Sequence, residues 1–355
     1  MISPRLLELV RCPDCGARLA GAPPDLACST CARRFVAEGG CLVLHPGVSY
    51  AEQTKYLDAA LHGDARHEHV SPPLLSARIR NDLLRAFLAP GPADTVVDLG
   101  CGSGRSLIWN SDLGAYQAGL DVSPYFAREA RERVDLVLGD LRRLPFADGV
   151  ITAAYALDVF EHLSRDALEG VLAEAARILV PGGRLFVYSH VRKNSRLARG
   201  LRLVNRAAAG LERLGLVDLS RERLRKSDHV NPLADIPDLE RTVAASGFRI
   251  ARIRYYTPLV GAIVENILMR VVEHWLSRRR SGTSTDERAD PAGGAKEARA
   301  AAKARLGRGG LLYAALRAVT WVMKVDILLF GHIRSGPFFA LLVKEPRGPR
   351  GQERP

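Results

Sequence analysis

The sequence predicts an α/β fold: an open, mostly parallel sheet flanked by helices, with a small cysteine-bearing head before it and helical insertions late in the chain. Three observations carry this. Strand-like apolar runs alternate with helical stretches from residue 94 to about 190. The first of those runs enters a glycine-rich turn, VVDLGCGSGRSL, from Val96 to Leu107. Upstream, two Cys-x-x-Cys pairs lie within residues 12–31.

The head comes first. Cys12-Pro-Asp-Cys15 and Cys28-Ser-Thr-Cys31 are separated by twelve residues. Each pair can form a knuckle whose backbone N–H groups point at thiolate sulfur, and two knuckles make a tetrahedral four-thiolate site for structural zinc. Unliganded thiols or a redox pair is the alternative reading. With four thiolates no position is left for a water, so such a zinc is structural. A segment this short builds little core, and metal binding would supply roughly 10–16 kcal/mol of folding energy. Cys41 and Cys101 lie outside the pattern and read as buried small side chains.

The 355-residue chain has room for one large domain with additions, or for two. A hydrophobic content of 47% allows a substantial core, and the net charge is +12. Met1 to Val10 carries Glu8 and no secretory apolar run, so a cytoplasmic location is expected, where thiols stay reduced.

The glycine turn narrows the nucleotide. A dinucleotide fingerprint needs its third glycine at position 105, which is Arg105, and no Lys-Ser/Thr pair follows as in a phosphate loop. What remains is Asp98-x-Gly100-x-Gly102-x-Gly104 after a strand. It resembles motif I of the class I methyltransferases that use S-adenosylmethionine (SAM). AGLDVSP, DLVLGDLRRLPF, ALDVFEHL and EAARILVPGGRLFVYS resemble the next landmarks of that family, in order from Thr95 to Ser189. The resemblance implies a Rossmann-like, seven-stranded sheet. It also implies a donor site made by Asp98, Gly100, Gly102 and Gly104, by Asp121 on the ribose hydroxyls, and by Asp140 and Leu141 at the adenine. The head, from LLELVRCPDCGARL to LACSTCARRFVAEGGCLVLHP, resembles the small zinc ribbons that partner and activate methyltransferases acting on tRNA and protein. It departs from them at Glu38-Gly39-Gly40-Cys41. That likeness implies docking or stabilisation.

Methyl transfer is an in-line displacement that positioning and desolvation can sustain. A hydroxyl acceptor would gain from a general base. Asp158, Glu161 and His162, just past the fourth strand, are the candidates. A role for Glu161 and His162 in opening the following helix competes with this.

The organisation expected is a zinc ribbon over 1–48, a helical connector over 49–93 and a methyltransferase core over 94–257, the core carrying a basic helical insertion at 190–234. An apolar helical insertion follows over 258–335, with a disordered linker at 278–310. The closing strand is 336–346 and the tail 347–355. Between Arg192 and Lys226 eleven Lys or Arg stand against Glu212, Asp218 and Glu222. The insertion splits the last strand pair, FRIARIRYYT and PFFALLVKEP, with two apolar helices. Arg317, Lys324 and Asp326 in the second make a membrane span costly, at about 2.5–3.5 kcal/mol per central charge. Amphipathic helices beside basic residues suit an interfacial site or a hydrophobic cap, and packing on the protein's own domain is the plainer alternative.

Two acceptors therefore compete. A hydrophobic or lipid-linked small molecule, met at the inner membrane surface, fits the apolar insertion. RNA fits the ribbon and the basic segment, but that segment has no aromatics for base stacking. A SAM-binding scaffold without turnover is the non-enzymatic reading.

Overall fold

The computed structural model describes residues 2–47, 57, 70–192, 198–217, 219, 227, 229–256, 260–268, 271, 310–334 and 336–346. The expected linker (except Gly310), the expected tail, much of the connector and part of each insertion lie outside the described residues.

The head opens with helix α1 (Pro4–Leu9), which has Pro in its first turn and Ser3 as N-cap; the Ser3 hydroxyl accepts from the Leu6 N–H at 3.1 Å. Four short strands follow as an antiparallel meander: β1 (Leu19–Ala22), β2 (Asp25–Cys28), β3 (Arg34–Glu38) and β4 (Cys41–Val43). The core then runs α2 (Leu75–Leu88), β5 (Thr95–Leu99), α3 (Arg105–Trp109), β6 (Tyr116–Asp121), α4 (Arg128–Arg133) and β7 (Asp135–Leu138). It continues through β8 (Ile151–Leu157), α5 (Arg165–Ile178), β9 (Leu179–His190), α6 (Ala198–Arg213), α7 (Ile236–Ala245) and β10 (Phe248–Tyr255). Helix α8 (Leu311–Phe330) and strand β11 (Pro337–Lys344) close it.

The strands form one sheet in the order β1-β2-β3-β4-β7-β6-β5-β8-β9-β11-β10, so it has eleven strands where seven were expected. The seven from β7 to β10 are the expected core, parallel except for β11, which runs antiparallel to both β9 and β10. The other four belong to the head, and the join is a parallel pairing, Leu42↔Val137 and Val43↔Leu138. An uncovered β7 would present a row of unpaired N–H and C=O groups. Three residues of β4, extended by Leu44 N–H donating to Leu138 O at 2.7 Å, cover that edge. The docking is also apolar: Leu6, Leu9, Val10, Leu42 and Leu44 share one buried cluster with Leu120, Val137 and Phe146. Ser3 N–H donates to the Asp135 carboxylate at 2.9 Å, and Tyr116 donates to the same group at 2.6 Å.

The Pro-Gly-Gly turn expected before the fifth strand lies inside β9, where a register shift separates the Ile151↔Leu179 pair from Ala153↔Arg184. The strand absorbs the turn as a bulge. Helix α8 spans the second expected apolar helix, Leu311 to Phe330, and packs against α2. Leu75 N–H donates to Thr320 Oγ1 at 3.0 Å, and Lys324 pairs with Asp82. No helix among the described residues is long and apolar enough to cross a membrane.

Candidate active site

The glycine turn leaves β5 with Gly100, Gly102 and Gly104 all at positive φ. A Cβ at Gly100 would lie 2.6 Å from Val159 Cγ2, so that position is closed by packing. At Gly102, with φ 54°, a Cβ would meet nothing within 4 Å. Gly102 is therefore the point where the turn faces open space and a ligand can approach the backbone. Asp121, at the end of β6, grips the turn. Its Oδ2 accepts from the Gly102 N–H at 2.7 Å and its Oδ1 from the Ser123 N–H at 2.8 Å. The carboxylate retains acceptor capacity beyond these two bonds.

Asp98 sits beneath the turn and is buried. Burial raises its carboxyl well above the ordinary range, the Asp121 charge adds to this, and Tyr155 opposes it. The side-chain bond to the turn thus comes from Asp121, while Gly100 and Cys101 N–H donate to the Leu120 carbonyl at 2.8 and 3.0 Å. Asp140, past β7, is also buried, and Arg142 clamps it: Oδ1 accepts from Nε at 2.9 Å and Oδ2 from Nη2 at 2.7 Å. Leu141 beside it is partly exposed. His45, just past β4, feels the Asp140 charge, though burial depresses its basicity overall. The head therefore reaches the adenine end of the expected donor site.

Across the sheet, at the carboxyl ends of β8 and β9, the three catalytic candidates separate into two groups. Asp158 has φ 56°, a left-handed conformation unusual for a non-glycine residue. Its carboxylate pairs with Arg80 of α2, whose guanidinium lies 4.7 Å from the centroid of the Tyr188 ring. Glu161 and His162 form a 3-10 turn before α5, and Ser164, not Glu161, caps that helix by accepting from the Ala167 N–H at 3.2 Å. Glu161 is only 1% exposed; it accepts from Ser189 Oγ at 2.8 Å, and its other oxygen lies 3.4 Å from His190 Nδ1. Burial pushes the Glu161 carboxyl up, but His190 and Ser189 outweigh it and hold the group below its usual range. His229, from the loop before α7, brings its ring to 4.7 Å from that of His162, edge to face.

Sequence reasoning missed Arg80, His190 and His229 as site residues. His229 lay late in the insertion after the fifth strand and His190 ended that strand, but neither carried a spacing signal. Arg80 lay in a connector with no motif.

In the head, Cys15 Sγ lies 3.4 Å from Cys28 Sγ, and Cys12 Sγ lies 3.7 Å from Cys31 Sγ. All four sulfurs lie within 4.8 Å of one another. A tetrahedron of Zn–S bonds needs edges of about 3.8 Å, so the thiols fit zinc with small adjustments. The Cys31 and Thr30 N–H groups each donate to Cys28 Sγ at 3.4 Å and lower its pKa to about 6, whereas burial pushes the Cys12 thiol up to about 12. Asp14 and Arg33 pair across the knuckles. Cys41 is buried as expected, whereas Cys101 is partly exposed.

Residues 97–187 match the family model described as a methyltransferase domain. A sterol 4-C-methyltransferase of Caenorhabditis elegans is 30% identical over 107 residues, covering 28% of this chain and 31% of that protein. A demethylmenaquinone methyltransferase of Corynebacterium kroppenstedtii is 41% identical over 104 residues, covering 29% of this chain and 44% of that protein. Among solved structures, a Haemonchus contortus phosphoethanolamine N-methyltransferase in complex with SAM superposes with a TM-score of 0.46 at 15% identity, over 82% of this chain and 56% of that one. This chain thus spans less than half the length of the curated relatives it matches, and what the match establishes is that residues 97–187 carry a methyltransferase domain.

Proposed function

We propose that the chain is a SAM-dependent methyltransferase acting on a hydrophobic or lipid-linked small molecule, with a structural zinc in its head. The observation that carries this is the open face at Gly102, held by the Asp121 carboxylate on the same sheet edge as the Glu161 cluster. When bound, SAM supplies an electrophilic methyl group. The turn would admit the donor's amino-acid end closely, Asp121 would accept its ribose hydroxyls and Asp140 with Leu141 would border its adenine. The relatives' own names, for a sterol and a menaquinone precursor, support an apolar acceptor. So does α8, which packs on α2 and leaves Trp321 at 66% and Leu328 at 81% exposed, with Leu329 and Phe330 beside them. That apolar face, in a chain of net charge +12, also supports peripheral contact with an anionic membrane surface.

The test supplies methyl-tritiated SAM and the purified chain to a cell lysate and partitions the label. Label in the organic phase is expected. Label in RNA would reverse the acceptor assignment in favour of the basic segment. SAM binding with no label transferred anywhere would leave a scaffold.

A further inference from the structure

We propose that Glu161, His162 and His229 form a second metal site, separate from the four cysteines, for one divalent transition-metal ion of the zinc or ferrous-iron class. One carboxylate oxygen and one nitrogen from each ring already lie within 4.8 Å of one another. Ligand bonds of about 2.0–2.2 Å around a tetrahedral ion place donor atoms about 3.3–3.6 Å apart, so small side-chain rotations complete the set. Two imidazoles with one carboxylate select zinc, iron, cobalt or nickel over magnesium or calcium, which prefer all-oxygen shells.

The electrostatics argue for a cation as well. Glu161 is almost fully buried, and its Oε1 accepts no well-formed hydrogen bond, because His190 approaches only as an ion-pair contact at 3.4 Å. A divalent ion would give the unfilled lone pairs of that buried oxygen a partner, beside the support His190 and Ser189 already lend the carboxylate. Supporting groups are in place: Ser189 Oγ holds Oε2 at 2.8 Å, and the Asn231 N–H donates to the Glu161 backbone carbonyl at 2.9 Å, which ties the His229 loop to the turn. Such outer contacts orient the ligands of metal sites generally.

Three protein ligands leave coordination positions for a substrate atom, as in metal sites that act on substrate. The cluster sits at the carboxyl ends of β8 and β9, the sheet edge that also carries the glycine turn. This points to an acceptor bearing a hydroxyl or enol oxygen, which the ion would bind and acidify. This last step rests on the methyl-transfer reading; the metal site itself does not.

The test titrates the chelator-stripped full chain with Co2+ and follows absorbance. Cobalt at the cysteines gives intense thiolate charge-transfer bands, whereas cobalt at the proposed site gives only weak ligand-field bands. One equivalent of the second kind is expected, and it should be lost in His229→Ala and in His162→Ala, with the thiolate bands intact. His229→Gln, on a surface loop, gives a second reading where a larger change perturbs folding. Absence of a non-thiolate equivalent overturns the site, as does its persistence in both His variants. If the ion binds but its removal leaves labelling of the organic phase unchanged, the acceptor role is overturned and the ion is structural. If SAM does not bind at all, the methyl-transfer reading fails while the metal count still decides the site.

Discussion

At Asp121 one carboxylate bonds two backbone N–H groups of separate turns, so its loss should disorder the glycine loop and remove the proposed ribose acceptor together. Asp121→Ala is expected to raise the Kd for SAM at least tenfold, about 1.4 kcal/mol, by isothermal titration. Unchanged affinity would remove the ribose assignment. Asp94 gives a stability prediction of known sign. Burial pushes its carboxyl up, but Thr152, the Gly91 N–H and Arg184 together hold it below its ordinary value. A depressed folded-state pKa contributes stability above the unfolded value of about 3.9 and loses it as pH falls through the folded one. Asp94→Asn should therefore cost about 1–3 kcal/mol at pH 7. Its melting curve should converge on that of the wild type in strong acid, and a gap that persists there would contradict the linkage.

Among the elements, β4 carries the most consequence for its three residues. It joins the zinc-fitting head to β7, and β7 leads directly to Asp140, so disturbance of the head should be felt in the proposed donor site. Leu42→Ala is expected to cost about 2–5 kcal/mol of stability. Removing the head's metal should lower the melting temperature and weaken SAM binding in the same titration. A head that melts away with SAM affinity intact would show that the sheet edge does not transmit the change. Helix α8 is held to α2 by Thr320 and by the half-exposed Lys324–Asp82 pair. Lys324→Met should cost under about 1 kcal/mol globally, yet speed amide exchange along α8.

For the molecule as a whole, the charge and the apolar face of α8 make one prediction. The chain should co-sediment with anionic vesicles, and Trp321→Glu with Leu328→Glu should abolish this while leaving SAM affinity unchanged. Sedimentation that survives both changes would assign the attraction to the basic segment alone. Neither change touches the packing of α8 on α2, since Trp321 is 66% and Leu328 81% exposed.

What was legible in the sequence was local. Each Cys-x-x-Cys pair, the glycine turn with Asp98, and the limits of α8 and the closing strand are set by spacing within one turn, strand or helix. At that range chain separation and spatial separation amount to the same thing. Tertiary structure decided everything that joins distant positions: β4 on the edge of β7, the Arg80–Asp158 pair and the meeting of Glu161 and His162 with His190 and His229. It also placed the Pro-Gly-Gly turn inside β9, as a bulge between two stretches that pair with β8. The physical reason is common to these cases. A hydrogen bond, an ion pair or a ligand set is a distance in space, and only the order of strands in the sheet determines which ends of the chain share an edge.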